Sequence, residues 1–152
     1  MLEAGDIAYR YGKKRPWLFE DFTMKIHPGE IVGISGPSGK GKSTLAKVLA
    51  GFLSPGKGSV LVDEKPLPTS GHCPVQLLFQ HPELAVNPRW KVGKILCEAQ
   101  EPDDTLLDAL GIEAAWLKRY PHELSGGELQ RVCLARALGP ETRYLLCDEM
   151  TS

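Results

Sequence analysis

The sequence predicts an α/β fold, and three observations carry that prediction. Residues 30–35 (Glu-Ile-Val-Gly-Ile-Ser) are short, apolar and β-branched, as a buried strand requires. Gly36-Pro-Ser-Gly-Lys-Gly-Lys-Ser43 follows at once and fits the pattern G-x-x-x-x-G-K-[ST]. Beyond it, Leu45, Val48, Leu49 and Phe52 recur at i, i+3, i+4 and i+7, the apolar stripe of a helix. A strand, a glycine-rich turn and a helix in that order aim a row of backbone N–H groups at an anion. The helix N-terminus adds about half a positive charge there. Gly36, Gly39 and Gly41 let the backbone come close to phosphate oxygens. Lys42 is suited to bridge two phosphates as a point charge, and the Ser43 hydroxyl to ligate Mg²⁺. The pattern alone also fits an ordinary glycine-rich turn, and the flanking strand and helix are what make it specific.

The remaining elements follow from patterning. Residues 7–11 and 18–26 read as strands of an N-terminal antiparallel piece, with His27-Pro-Gly29 turning into the next strand. After the first helix, residues 54–58 form a turn, and 59–63 and 75–79 form short strands. From Pro82 to about Glu123 the texture changes to proline-punctuated helices, including 90–100 and 105–110. A further helix runs from Ser125 through Leu138, and residues 144–148 make a final buried strand.

Two later segments carry chemistry. Ser125 and Glu128 fit the capping box S-x-x-E, so the segment opens a helix. Gly126 and Gly127 are poor helix material, which makes better sense if a ligand must approach bare amides. One nucleotide does not need two such anion sites in one chain. The apolar run that starts at Tyr144 ends in Asp148 and Glu149, at the strand edge where α/β sheets bind ligands. Asp148 is suited to hold Mg²⁺ through water, and Glu149 to polarise an attacking water. Gln80 also follows a strand and is within the chemistry that serves a metal or a water.

Composition sets the bounds. A chain of 152 residues supports one ordinary domain. Its net charge of −1 gives no global field toward nucleic acid or anionic lipid. Arg10, Lys13, Lys14 and Arg15 are a local basic cluster, read first as a solvated loop. Cys73, Cys97, Cys133 and Cys147 lack metal-site spacing and read as reduced thiols. The N-terminus has no apolar targeting core, and no apolar run approaches bilayer length. The expectation is a cytosolic chain that meets a membrane only through a partner.

In sum these residues resemble the nucleotide-binding domain of ATP-binding-cassette transporters, over essentially the whole chain. The order is that family's: an upstream aromatic, GPSGKGKST, a glutamine after a strand, LSGGE, and an apolar strand ending in Asp-Glu. LSGGE followed by Leu-Gln-Arg-Val is the most specific part. The resemblance implies a P-loop NTPase with a mostly parallel sheet, an N-terminal antiparallel β piece and an inserted helical subdomain. Residues 1–81 and 139–152 would form the nucleotide-binding core, and about 82–138 the helical subdomain that docks onto a membrane permease. It also implies a head-to-tail dimer in which each ATP lies between one chain's phosphate loop and its partner's LSGGE.

By position, Tyr11 resembles the aromatic that stacks on adenine, with Tyr9 the second candidate. Gly36, Pro37, Ser38, Gly39, Lys40, Gly41, Lys42, Ser43 and Thr44 would wrap the phosphates. Ser43, Gln80 and Asp148 would serve Mg²⁺, Glu149 would be the catalytic carboxylate, and Ser125, Gly126, Gly127 and Glu128 would cap the other subunit's ATP. The region 79–93 and Tyr120-Pro-His-Glu are similar to importers of peptides and nickel. The implied function is the ATPase subunit of such an importer, peripheral on the cytoplasmic face of the membrane. The alternatives are a non-catalytic nucleotide-binding fragment, or a soluble cassette ATPase acting on nucleic acid or ribosomes; nucleic acid is not the expected partner.

The family pattern continues past Glu149 with a Ser-x-Leu-Asp segment and, some thirty residues on, a histidine that senses the γ-phosphate. The sequence stops at Ser152, so the C-terminal part of the fold is expected to be missing. Residues 31–34 and 144–147 would then face a gap in mid-sheet. They should either pair with each other or leave apolar, sticky edges.

Overall fold

The computed structural model describes residues 1–98, 101 and 103–148. Strand β1 (Leu2–Tyr9) is the centre of a four-stranded antiparallel sheet, order β2-β1-β3-β4, with β2 (Phe19–Ile26), β3 (Lys57–Val62) and β4 (Lys65–Pro66). Leu2 pairs with Ile26 on one side and Val62 on the other, and these three side chains are buried together with Ala4. β1 begins earlier than its sequence suggests, because Leu-Glu-Ala-Gly has little intrinsic strand preference. Pairing on both edges decides the matter instead.

Midway, β1 bulges. Ala4 and Ile7 face Met24 and Phe22 of β2, and Gly5 and Ala8 face Ser59 and Lys57 of β3. The extra residue puts Asp6 at φ 47°, a conformation aspartate tolerates better than most side chains. Thr23 pins it: the Asp6 N–H donates to Thr23 Oγ1 at 3.1 Å, and that hydroxyl donates to Asp6 Oδ1 at 2.8 Å. The bulge also flips the pleat, so that by register Ile7 continues the face of Leu2 and Ala4, while Ala8 beside it is buried as well.

Opposite the bulge sits Gly58, at φ 74°. A Cβ there would lie 2.2 Å from the Gly5 carbonyl oxygen and 2.5 Å from that of Asp6. Helix α1 (Lys42–Leu49) buries Thr44, Leu45, Val48 and Leu49, as its apolar spacing predicts. These elements belong to the first of two compact units, Met1–Gln76.

The predicted strand over residues 30–35 does not form. The His27–Glu30 turn is present, with Glu30 N–H donating to the His27 carbonyl at 3.1 Å, but residues 31–37 lie in no ladder. Strand-like composition makes a pleated surface favourable only where another strand supplies hydrogen bonds. Ile31 is 99% exposed, and Val32 and Ile34 are also open to solvent. The expected pairing of residues 31–34 is not met, since they lie in no ladder, and their apolar side chains stand exposed instead. Ile31→Lys should leave the melting temperature within about 1–2 °C, since the side chain packs on nothing and surface changes usually fall within about 0.5 kcal/mol. It should also raise the concentration at which light scattering first detects association.

The second unit, Leu77–Ser152, is mainly helical. Two short strands, β5 (Val75–Leu78) and β6 (Tyr144–Cys147), pair as a two-stranded sheet, and the helices come between them in sequence. A 3₁₀ segment at Pro82–Leu84 precedes α2 (Val92–Leu96) and α3 (Asp104–Ala109), and two more at Ala114–Lys118 and Pro121–Glu123 lead into α4 (Gly126–Ala137). Asp103 caps α3, its carboxylate accepting the Thr105 N–H at 3.0 Å. α4 buries Leu129, Val132, Cys133 and Ala137, a stripe at helical spacing, in a core with Val92, Ile95, Leu96 and Trp116. Gly93 lets α2 approach the Leu117 carbonyl, 3.2 Å from where a Cβ would sit.

The α/β class stands. Among the described residues most of the ladders belong to the N-terminal antiparallel piece. Among the described residues, no helix is long and apolar enough to cross a membrane.

Candidate functional site

The glycine-rich loop ends on Gly41, which caps α1 in the left-handed region at φ 92°. A side chain there would be strained, and its Cβ would meet Leu18 Cγ at 2.9 Å. Leu18 thus closes one side of the loop, a role its sequence position did not signal. The first-turn amides of an α-helix have no acceptor within the helix itself, so its N-terminus can receive an anion. Lys42 Nζ donates to the carbonyl oxygens of Gly36 and Pro37, at 2.8 and 3.2 Å. Its ammonium is thereby held over the loop that its own backbone builds, where an anion's oxygens would compete for it. Residues 36–40 and Ser43 are exposed, while Gly41 and Lys42 are partly buried.

Tyr11 lies beyond the end of β1, and its hydroxyl is 2.8 Å from Thr44 Oγ1. Its ring is half exposed and meets Tyr9 edge-on, centroids 5.1 Å apart at 88°. Tyr9 in turn stacks on Phe19, at 6.2 Å and 28°, so it belongs to the sheet's aromatic packing. Of the two sequence candidates, Tyr11 is the one with an open ring, and its hydroxyl reaches the helix that follows the glycine-rich loop.

In the second unit, Gln80 and Asp148 come to the same end of the β5–β6 sheet. The Asp148 N–H donates to the Leu78 carbonyl at 3.1 Å, two residues before Gln80. Burial raises the pKa of the neighbouring Cys147 thiol and keeps it protonated. Glu149 lies outside the described residues.

Ser125 and Glu128 form the expected capping box. The Ser125 hydroxyl accepts the Glu128 N–H at 3.3 Å, and Glu128 Oε2 accepts the Ser125 N–H at 2.6 Å. Hydrogen bonds from the Ser125 backbone and side chain, with lesser help from Arg119 and Arg131, hold the Glu128 carboxyl below its ordinary range. Gly126 and Gly127 are exposed, and a Cβ at either would meet nothing within 4 Å. The fold therefore has no steric need for two glycines in the first turn of α4.

The ABC transporter family profile matches residues 19–152. A nickel import system ATP-binding protein NikE from Staphylococcus aureus (strain bovine RF122 / ET3-1) is 39% identical, over all of this chain and 67% of its own length. The NikE of strain MRSA252 is 38% identical with the same coverage. Among solved structures, cbiO1 from Clostridium perfringens, described as part of the ABC transporter complex cbiONQ, is 28% identical. It aligns with a TM-score of 0.74 over 97% of this chain and 64% of its own. A dimeric ATP-binding cassette bound to ADP and Pi aligns at 0.76 over 97% of this chain and 73% of its own, at 23% identity, and supports the fold alone.

Proposed function

This chain belongs to the ABC transporter family, and we propose that it is the ATP-binding and ATP-hydrolysing subunit of a nickel importer. The observation that carries the reading is the pair of glycines at Gly126 and Gly127, which their own fold does not require. Each is less favourable than alanine in a helix by about 0.5–1 kcal/mol, so bare amides at the capped end of α4 serve something outside the chain. A second copy, or a related cassette subunit, supplies it: the partner's phosphate loop brings ATP to Ser125, Gly126, Gly127 and Glu128. Support for nickel over peptides as the transported solute comes from the NikE relatives, which are named for nickel import and match the whole chain.

The roles divide by chemistry. Tyr11 stacks on the base, and the loop from Gly36 to Thr44 wraps the phosphates with Lys42 as the countercharge. Ser43, Gln80 and Asp148 are all oxygen donors, the set that suits Mg²⁺, and would hold it; the bound ion would neutralise charge on the phosphates. Glu149 orients and deprotonates the attacking water. Residues 1–81 and 139–152 form the nucleotide-binding core and 82–138 the helical subdomain that meets the permease, which places the subunit on the cytoplasmic face of the membrane.

Gly126→Ala and Gly127→Ala test this directly. Each should raise the melting temperature by about 1–4 °C, the return of about 0.5–1 kcal/mol in a chain of this size. Each should also lower ATP-dependent phosphate release in the assembled transporter at least tenfold, because a methyl group stands where the partner's phosphate must come. A stabilised variant with parental turnover would remove the glycines from the site.

A further inference from the structure

We propose that Thr44 is a positioning residue for the base-stacking ring, its hydroxyl fixing Tyr11 before nucleotide arrives. This rests on the ATP-site reading above and adds to it a tie between the base platform and the phosphate helix. Among the described residues Thr44 is the one buried polar side chain, 8% exposed, in the first turn of α1. Its Oγ1 is 2.8 Å from the Tyr11 hydroxyl, across 33 residues of sequence. Tyr11 itself lies outside any strand, in an exposed loop rich in lysine and arginine, where nothing in the backbone ladder would hold it.

Two contacts replace that ladder. The Thr44 hydrogen bond fixes the far end of the ring, and the Tyr9 ring edge at 5.1 Å fixes its plane. The ring remains 51% exposed, so the restraint leaves surface for a base. A side chain already held in one rotamer loses less freedom on binding, and that cost for a mobile side chain corresponds to about 2- to 10-fold in affinity. Because Thr44 sits on the phosphate helix, the ring is also set at a fixed distance from the phosphate loop.

The test compares ATP with inorganic tripolyphosphate, which has no base, by titration calorimetry on the full chain. Tyr11→Phe should weaken ATP binding about 2- to 10-fold and leave tripolyphosphate unchanged, and Thr44→Val should lose about 2- to 10-fold more with ATP than with tripolyphosphate. The double variant should bind ATP no more weakly than Thr44→Val, since both changes remove the same bond. Thr44→Ser keeps the hydroxyl and should bind ATP as the parent does. Several results would overturn the proposal: additive losses, an equal loss for tripolyphosphate, parental ATP affinity in Tyr11→Phe, or Thr44→Ser as weak as Thr44→Val. Lys42→Ala, run alongside, reports on the phosphate loop alone. Tripolyphosphate binding that survives it would overturn the ATP-site reading itself, whereas a failure confined to Tyr11 and Thr44 overturns only the positioning role.

Discussion

Lys42→Ala is expected to reduce ATP affinity by at least a hundredfold, while the chain keeps its melting temperature to within a few degrees. In the structure the ammonium donates to two carbonyl oxygens of its own loop and is solvent-exposed. Those bonds contribute little net stability because water can replace them. Phosphate oxygens are another matter: a charge-assisted bond to an anion is about twice as strong as a neutral one. Two such bonds at about 1.5–3 kcal/mol each account for the expected loss. Titration calorimetry against ATP decides it. Unchanged affinity in a folded variant would remove the glycine-rich loop from the nucleotide site.

Gly58→Ala should be the most damaging single change in the first unit, destabilising it by about 2–5 kcal/mol. Forcing a non-glycine residue into the left-handed region costs about 1–2 kcal/mol. Overlap with the Gly5 and Asp6 carbonyls, 2.2 and 2.5 Å from the new carbon, adds the cost of overpacking, about 1–3 kcal/mol, and backbone cannot rotate away as a side chain could. Against a total of about 5–15 kcal/mol for an ordinary domain, that is a large share. Chemical denaturation should show a lower midpoint. Tyr11 fluorescence quenching by nucleotide should fall with it, because the β1 bulge opposite Gly58 sets the path of the strand toward Tyr9 and Tyr11. A parental midpoint would mean that the bulge can relax at little cost.

Much of this was legible in the sequence because the relevant physics is local. The capping box at Ser125 and Glu128 and the helix that follows it are short-range patterns and form as read, as does the stripe of α1 through Leu49; Phe52, read as its last member, lies beyond the helix end and is exposed. What failed was the strand over residues 30–35, where β-branched composition was right for a buried ladder but pairing is a property of distant segments. The Asp6 bulge and its lock against Gly58 were invisible for a similar reason. Glycine at 58 looked like part of a turn, and only the register of β1 against β3 shows why it must be glycine. The same holds at the site. Lys42 and Ser43 were named by a contiguous motif, whereas the Tyr11–Thr44 bond and the Leu18 contact on Gly41 join residues far apart in sequence. No spacing rule links them.

The central claim, that nucleotide is shared between one chain's loop and another's Ser125–Glu128 segment, is tested most directly by sedimentation velocity in Mg²⁺-ATP. The parent chain should dimerise only with nucleotide. Lys42→Ala alone and Gly127→Asp alone should each stay monomeric. An equimolar mixture of the two should associate, because the intact loop of one meets the intact helix cap of the other. A mixture that stays monomeric while the parent dimerises, or a Gly127→Asp chain that dimerises by itself, would contradict the shared site.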